Sequence, residues 1–276
     1  MTVIEGFAPA KINLTLHVTG RRADGYHELD SLVIFADIGD RIKVKPSDTT
    51  ILTVDGPMAA GVPVDESNLV VRAAAKMDVA ADIHLEKHLP NAAGLGGGSS
   101  DAAATLTALS ELSGKPVPRD VLSLGADIPV CQMRGAARMR GVGERVEPVQ
   151  GLPVLHAVLV NPNLPVMTKE VFAGLGRPDN AAMPETLPQF DEAGELIDWL
   201  ATMRNDLEAP AIKAEPVIQQ VFDTLSVTPG CDLARMSGSG GTCFGLYSDA
   251  ETAASASGRL REKHPGWWVR AVRLNV

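Results

Sequence analysis

Cysteine is scarce and unpatterned in this chain, with three thiols (Cys131, Cys231, Cys243) among 276 residues. An odd number, widely spaced and without a C-x-x-C pair, argues against a disulfide framework and fits a reducing compartment. Positive charge is also short, 25 Lys and Arg against 34 Asp and Glu, for a net −9. Nucleic-acid and membrane-surface binders normally present a basic face, so both classes are disfavoured. No apolar run approaches the ~20 residues a membrane helix needs. The opening MTVIEGFAPAKI has an early acidic residue and no apolar h-region, so it does not read as a signal peptide. Internal repeats and low-complexity tracts are missing as well. The expectation is a cytoplasmic protein with no nucleic-acid and no membrane partner. Its 45% hydrophobic and 21% charged residues are an ordinary globular composition. The length allows two domains, with a boundary expected near residue 150, giving 1–150 and 151–276.

The N-terminal segment reads as strands. Ile12, Leu14, Leu16 and Val18 alternate with Asn13, Thr15 and His17, the period of a half-buried strand. Asp24-Gly25 supplies a turn, and Leu32–Ile34, Ile42–Val44 and Ile51–Val54 are expected as further, separate strands. Glu66–Met77 has helical spacing with Ser67-Asn68 as cap candidates. Ile83 and Leu85 form a strand leading to a glycine cluster. Later elements expected are a strand over Val154–Val160, a short helix from Thr168, and an irregular loop over Arg177–Gly194. Helices near Leu196–Leu207 and Ala214–Leu225 and strands at Cys243–Tyr247 and Trp268–Leu274 complete the reading. Many short strands before the first helix indicate an α+β fold with mixed or antiparallel sheets, not a doubly wound one.

The stretch Leu89–Leu109, LPNAAGLGGGSSDAAATLTAL, places Gly94, Gly96, Gly97 and Gly98 between that strand and an alanine-rich helix starting near Ser99-Ser100. Glycines permit close approach of a ligand to backbone, and a helix start offers unpaired N–H groups and partial positive charge. The combination suits phosphate. The familiar phosphate loops do not fit. Gly98 is followed by Ser99-Ser100 and not by Lys-Ser/Thr, G-x-G-x-x-G fails at Ser99, and protein-kinase HRD and DFG signatures are lacking. A second cluster, MSGSGGTCF at Met236–Phe244, precedes a strand, and two such clusters suggest one shared anionic ligand.

The pattern that does match is Pro90, Gly94-Leu95-Gly96, Ser99-Ser100 and Ala102-Ala103, which resembles the second motif of the GHMP kinase superfamily. Pro9-Ala10-Lys11-Ile12-Asn13-Leu14 resembles the first motif and Met236–Thr242 the third, in the family's order across nearly the whole chain. The resemblance implies a two-domain GHMP-kinase architecture with an active-site cleft between the domains, and a small-molecule kinase using ATP and Mg²⁺. Asp24-Gly25-Tyr26-His27, the triple glycine and Gly125-Ala126-Asp127-Ile128-Pro129 resemble the branch that phosphorylates the 2-hydroxyl of a cytidine-diphosphate methylerythritol. Two departures stand out. The segment from Leu112 to Gly125 is shorter than the family norm, and Asn91-Ala92-Ala93 replaces a Met/Gly-rich loop opening.

Residue by residue, the resemblance implies that Asp127 takes the proton of the attacking hydroxyl and that Lys11 sits beside it, keeping it ionised. The ATP phosphates would be wrapped by Pro90, Asn91, Ala92, Ala93, Gly94 and Leu95, continuing through Gly96, Gly97, Gly98, Ser99 and Ser100. Either serine would support Mg²⁺, and the sequence does not choose between them. No protein metal cage is expected, since Mg²⁺ favours phosphate oxygens and water. Asn68 would line the adenine pocket. Tyr26 and His27 would recognise the cytosine by stacking and edge hydrogen bonds, with Phe172 closing its other side. Asn13 and the Gly238-Ser239-Gly240 turn would contact the acceptor. His84 and His88 alternate on a strand without a third ligand, so no metal site is expected there. The rival readings are a kinase for homoserine, mevalonate or a sugar, and a silent nucleotide-binding module. Oligomeric state is not legible.

Overall fold

The computed structural model describes residues 2–275. In chain order its elements are β1 (Ile4–Asn13), β2 (His17–Arg21), β3 (His27–Pro46), β4 (Ile51–Asp55), α1 (Leu69–Met77), β5 (Ala81–Glu86), α2 (Gly97–Ser113) and α3 (Ile128–Met133). They continue with β6 (Ala137–Gly141), β7 (Arg145–Pro148), β8 (Leu155–Asn161), α4 (Thr168–Ala173), α5 (Ala193–Ala201), α6 (Glu208–Ala214) and α7 (Val217–Ser226). The last are β9 (Cys231–Met236), β10 (Cys243–Tyr247), α8 (Ala250–Lys263) and β11 (Trp268–Leu274). This is the expected α+β class. No helix among the described residues is long and apolar enough to cross a membrane.

The chain divides into two compact units, crossing between them after Lys11, Asp37, Asn91, Leu95 and Arg134. The units are therefore interleaved along the sequence and do not follow from a single cut near residue 150. The first contains the chain through Lys11, Ile38–Asn91 and Gly96–Arg134. In it β5 pairs antiparallel with Arg41–Pro46 of β3 and parallel with β4. Helix α1 packs on α2, and α2 on α3. Ile42, Ile83, Leu85 and Leu106 are among its fully buried side chains. Asn68 starts α1 by accepting a hydrogen bond from the Val70 amide, 2.9 Å, which satisfies one of the end's orphan donors. Helix α2 begins two residues before Ser99, after a left-handed Gly96, and stops at a left-handed Gly114. It is buried nearly all round, because its run of alanines lets neighbouring backbones approach from several sides.

The second unit contains Ile12–Asp37, Ala92–Leu95 and the chain from Gly135 onward. Strand β8 lies antiparallel between β11 and β10, and β9 flanks β10. The first part of β3 pairs with β2 and β6, and β6 with β7. Val158, Val160, Ile218, Val221, Leu260 and Val269 belong to its core.

Several expectations need correction. Strand β3 is one continuous element where two were expected, because the interrupting Asp37–Asp40 stretch stays extended. Gly39 there has a virtual Cβ 2.2 Å from the Ala8 carbonyl, an approach only glycine permits. The alternation over residues 12–18 does not leave a wet face: Asn13, Thr15 and His17 are as buried as Ile12, Leu14 and Leu16. Strands β6, β7 and β9 and helices α3 and α8 are additional. Helix α8 buries Ala253, Ala256 and Ser257, small residues that leave no strong apolar stripe to read.

One buried ion pair fixes β6 to β3. Arg138 donates from Nε to Asp30 Oδ1 and from Nη2 to Oδ2, both at 2.8 Å, while Nη1 reaches the Pro184 and Glu185 carbonyls. Replacing Arg138 by Met leaves the Asp30 carboxylate buried without its partner, so we expect a loss of about 3–5 kcal/mol in denaturant unfolding. Arg138→Lys restores charge but not the fork, and should fall between.

Candidate functional site

The glycine stretch contributes to both units, and its two parts do different things. In the first unit the left-handed Gly96 lies against Lys11. A Cβ at Gly96 would stand 3.1 Å from Lys11 Cε and 3.2 Å from its Cβ. The lysine is buried (4% exposed), and its Nζ lies 3.0 Å from Asp127 Oδ2, whose side chain is 31% exposed. Asp127 stands at the start of α3 without capping it through its side chain. Its carboxylate is thus turned to the lysine and still open to a ligand.

The two serines after the glycines differ. Ser100 is buried and its hydroxyl donates to the Pro9 carbonyl at 2.8 Å, so it ties the helix start to β1. Ser99 is half-buried, with its Oγ 3.7 Å from the position of a Cβ on Gly125, two residues before Asp127. Gly98 lies against Leu69, the residue after Asn68. Asn68 itself caps α1 and donates to the Pro63 carbonyl at 2.7 Å. Asn91 is exposed, and Pro90 is buried.

In the second unit the two glycine clusters meet. Ser237 accepts from the Asn13 amide at 3.1 Å and donates to the Gly94 carbonyl at 2.9 Å. The Thr242 amide donates to the Ala93 carbonyl at 3.1 Å, and the Val166 amide to that of Ala92 at 3.3 Å. A Cβ on Gly238 would lie 2.9 Å from the Gly94 carbonyl oxygen and 3.4 Å from Asn13 Oδ1. Asn13 is fully buried, and its amide donates to Ser31 Oγ at 2.7 Å. Leu95 is buried beside this junction. Asn205, a residue the sequence reading passed over, donates to the carbonyls of Met236 and Gly238, both at 2.9 Å. It falls inside the helix expected near Leu196–Leu207, whereas α5 ends at Ala201 and leaves Asn205 before α6, and no local pattern reveals a partner more than thirty residues away.

The aromatic residues of the same unit form a separate group. The turn from Arg22 to Tyr26 closes with a left-handed Gly25, leaving Tyr26 64% exposed. His27 and Phe172 stack directly, centroids 4.9 Å apart and planes 24° apart. Phe172 thus does not face an open slot across from His27, because the two rings are already at contact distance. Burial, and then the charge of Arg21, hold the His27 imidazole below its ordinary value. Helix α4, which carries Phe172, is linked to the second glycine cluster by the Thr168 and Ser239 hydroxyls at 2.8 Å. Gly240, adjoining Ser239, is held with φ +110° over Met236 and Ala211.

Residues 68–137 match the model of the GHMP kinases N terminal domain, and residues 182–266 that of the GHMP kinases C terminal domain. A 4-diphosphocytidyl-2-C-methyl-D-erythritol kinase of Cereibacter sphaeroides is 55% identical over 98% of this chain and 99% of its own. The chain belongs to the GHMP kinase family. A relative of the same name from Ruegeria pomeroyi is 53% identical, over 98% of this chain and 99% of its own. A crystal structure of 4-(cytidine 5'-diphospho)-2C-methyl-D-erythritol kinase superposes with a TM-score of 0.76 and 36% identity, covering 99% of each chain. Homoserine kinase from Cytophaga hutchinsonii shares the fold at 17% identity and a TM-score of 0.65, over 99% of this chain and 94% of that one. As a family member the protein is a kinase that uses ATP and acts on a small molecule.

The glycine contacts generate a test. Gly94 has φ +72°, and a Cβ there would lie 2.3 Å from the Ser237 carbonyl oxygen. Gly94→Ala therefore adds both left-handed strain of roughly 1–2 kcal/mol and a backbone clash, and should lower the melting temperature by several degrees. Gly98→Ala, whose Cβ would meet only Leu69 Cδ1 at 3.7 Å, should melt close to wild type in the same calorimetric scan.

Proposed function

We propose that the protein transfers the γ-phosphoryl group of ATP to the 2-hydroxyl of 4-diphosphocytidyl-2-C-methyl-D-erythritol, a step of the non-mevalonate route to isoprenoid precursors. The observation that carries the chemistry is the Lys11–Asp127 pair, 3.0 Å apart beside a left-handed glycine at a helix start. The relatives at 55% and 53% identity over nearly the full chain support the substrate.

Phosphoryl transfer depends mainly on positioning and charge stabilisation. The backbone N–H groups at the start of α2 face outward from a helix end and are suited to phosphate oxygens. An alcohol is a weak nucleophile at neutral pH, so Asp127, partly exposed, accepts its proton as the new P–O bond forms. Lys11, 3.0 Å from that carboxylate, offsets the negative charge that builds on the transferred group. Ser100 is committed to Pro9, which leaves Ser99 as the loop hydroxyl for a metal ion or a phosphate oxygen. Mg²⁺ fits this donor set, because it needs few protein ligands when phosphates and water supply the rest. Bound there, it neutralises phosphate charge.

In its neutral form, which the lowered pKa favours, His27 can donate from one ring nitrogen and accept at the other, which suits the mixed edge of cytosine. Because His27 and Phe172 stack on each other, the base lies against an outer face of that pair, next to the exposed ring of Tyr26. Asn68 borders the adenine, through the start of α1, and Asn13 together with Gly238-Ser239-Gly240 shapes the acceptor side.

With ATP and Mg²⁺, the purified protein should release ADP on addition of the cytidylated methylerythritol and hardly at all with mevalonate or homoserine. Equal turnover of all three would remove the substrate assignment. Asp127→Asn should bind ATP as wild type does and lose about 10²–10⁴-fold in kcat. Near-normal turnover would remove Asp127 as the base.

A further inference from the structure

Outside the residues named so far, the first unit holds a buried ionic triad. Lys87 follows β5 and is 3% exposed, Asp40 on β3 is 0% exposed, and Asp101 in the first turns of α2 is 3% exposed. Lys87 Nζ donates to Asp40 Oδ2 at 2.5 Å and to Asp101 Oδ2 at 2.8 Å. The other oxygen of Asp40, Oδ1, accepts the backbone amides of His88 at 2.5 Å and Leu89 at 2.9 Å. His88 and Leu89 lead into the glycine stretch and Asp101 follows it. Directly between them, a Cβ on Gly97 would stand 3.5 Å from Lys87 Nζ and 3.8 Å from Asp40 Oδ2. The triad thus grips the chain before the glycines, the chain after them, and the floor beneath one of them.

We propose that Lys87, Asp40 and Asp101 are positioning residues that hold the first-unit part of the glycine stretch, Gly96 and the Gly97–Ser100 start of α2, in its nucleotide-binding shape before ATP arrives. This rests on the kinase reading above for the identity of the ligand. The physical argument is one of ordering cost. Three glycines in succession have more backbone freedom to lose than any other sequence. A loop already fixed at both ends does not have to lose that freedom on binding. Lys87 cannot touch the phosphates from its buried place, so its effect passes through the backbone that it and its partners hold.

Lys87 and Asp101 each feel the rest of the cluster. Burial first, and then the charge of Asp40, push the Asp101 carboxyl up to about 8 against the pull of Lys87. Burial would lower the Lys87 ammonium, but Asp101 and Asp40 outweigh it and hold it raised. Near neutral pH Asp101 therefore holds a proton beside the charged Lys87. Cys131 on α3, the other titratable group that senses Asp101, is itself pushed up by burial and remains a thiol. The sign for stability follows. The folded chain holds a proton on Asp101 that the unfolded chain, at its ordinary 3.8, releases. This contribution is complete below the unfolded value and is lost as pH rises toward about 8.

The test compares Asp101→Ala, which removes the acceptor of Lys87 on the exit side, with Asp101→Asn, which keeps an oxygen there. ATP binding is measured by calorimetry without any acceptor substrate, alongside hydrogen exchange of the amides of residues 96–100 in the free protein. Asp101→Ala should weaken ATP binding by about tenfold, the worth of a hydrogen bond to a charged group, and speed exchange in the loop, with kcat at saturating ATP little changed. Asp101→Asn should match wild type in both and lose the decline in melting temperature from pH 5 to pH 8. Should Asp101→Ala not fold, Asp101→Ser, whose hydroxyl is too short to reach Nζ, gives the same readout. Alanine or serine variants that bind ATP and exchange like Asp101→Asn would overturn the proposal. Wild-type protein that binds no ATP would instead count against the kinase reading.

Discussion

The ion pair between Lys11 and Asp127 is the interaction around which the first unit's loop is arranged. A buried ammonium is costly unless an opposite charge and good geometry compensate it, and here the partner is 3.0 Å away. Asp127 is still partly exposed, so the compensating carboxylate remains available for chemistry. The pair also restricts what lies above it. Lys11 fills the space where a side chain at position 96 would stand, so that position is a glycine, and its left-handed backbone starts α2. The Ser100 hydroxyl then ties the helix start back to Pro9, two residues before Lys11.

The same motifs serve the second unit through neighbouring residues. Two positions after Lys11, Asn13 is bound by Ser237, and two positions before Gly96, Gly94 is bound by the same hydroxyl. This explains why three short motifs far apart in sequence occur together in one chain. The second and third supply backbone that only glycine allows, at Gly94 and Gly238, and the first supplies Lys11 and Asn13 to meet them. Asn205 satisfies the Met236 and Gly238 carbonyls of the second glycine cluster, Ser237 of that cluster serves the Asn13 amide and the Gly94 carbonyl, and Arg235, on the strand before it, supports carbonyls elsewhere in the unit. Arg235 alone reaches the carbonyls of Leu14, Leu200 and Met203.

Local patterns were the legible part of this protein. The bounds of β10 and β11, the cap at Asn68, the stop at Gly114 and the turn at Gly25 follow from residues that act on their immediate neighbours. What sequence did not reveal is polar burial. Thr15 and His17 fell on the polar side of an alternating strand, and nothing local marked Asp40 or Arg138 as buried, because the groups that satisfy them lie far along the chain. Asp40 meets Lys87 across 47 positions and Arg138 meets Asp30 across 108. The site residues carried over by family likeness include Lys11, Asp127 and the glycines, which do lie together within their units. Phe172, expected on the other side of the cytosine from Tyr26 and His27, is stacked on His27, and ring packing of that kind leaves no trace in residue spacing.

Lys11 and Asp127 are proposed to work as one unit in phosphoryl transfer. A double-mutant cycle on kcat with Lys11→Met, Asp127→Asn and the double variant tests it directly, since residues acting together are not additive. The account predicts that the double variant is hardly slower than the slower single variant. Losses that multiply, each variant costing its full factor in the presence of the other, would contradict it.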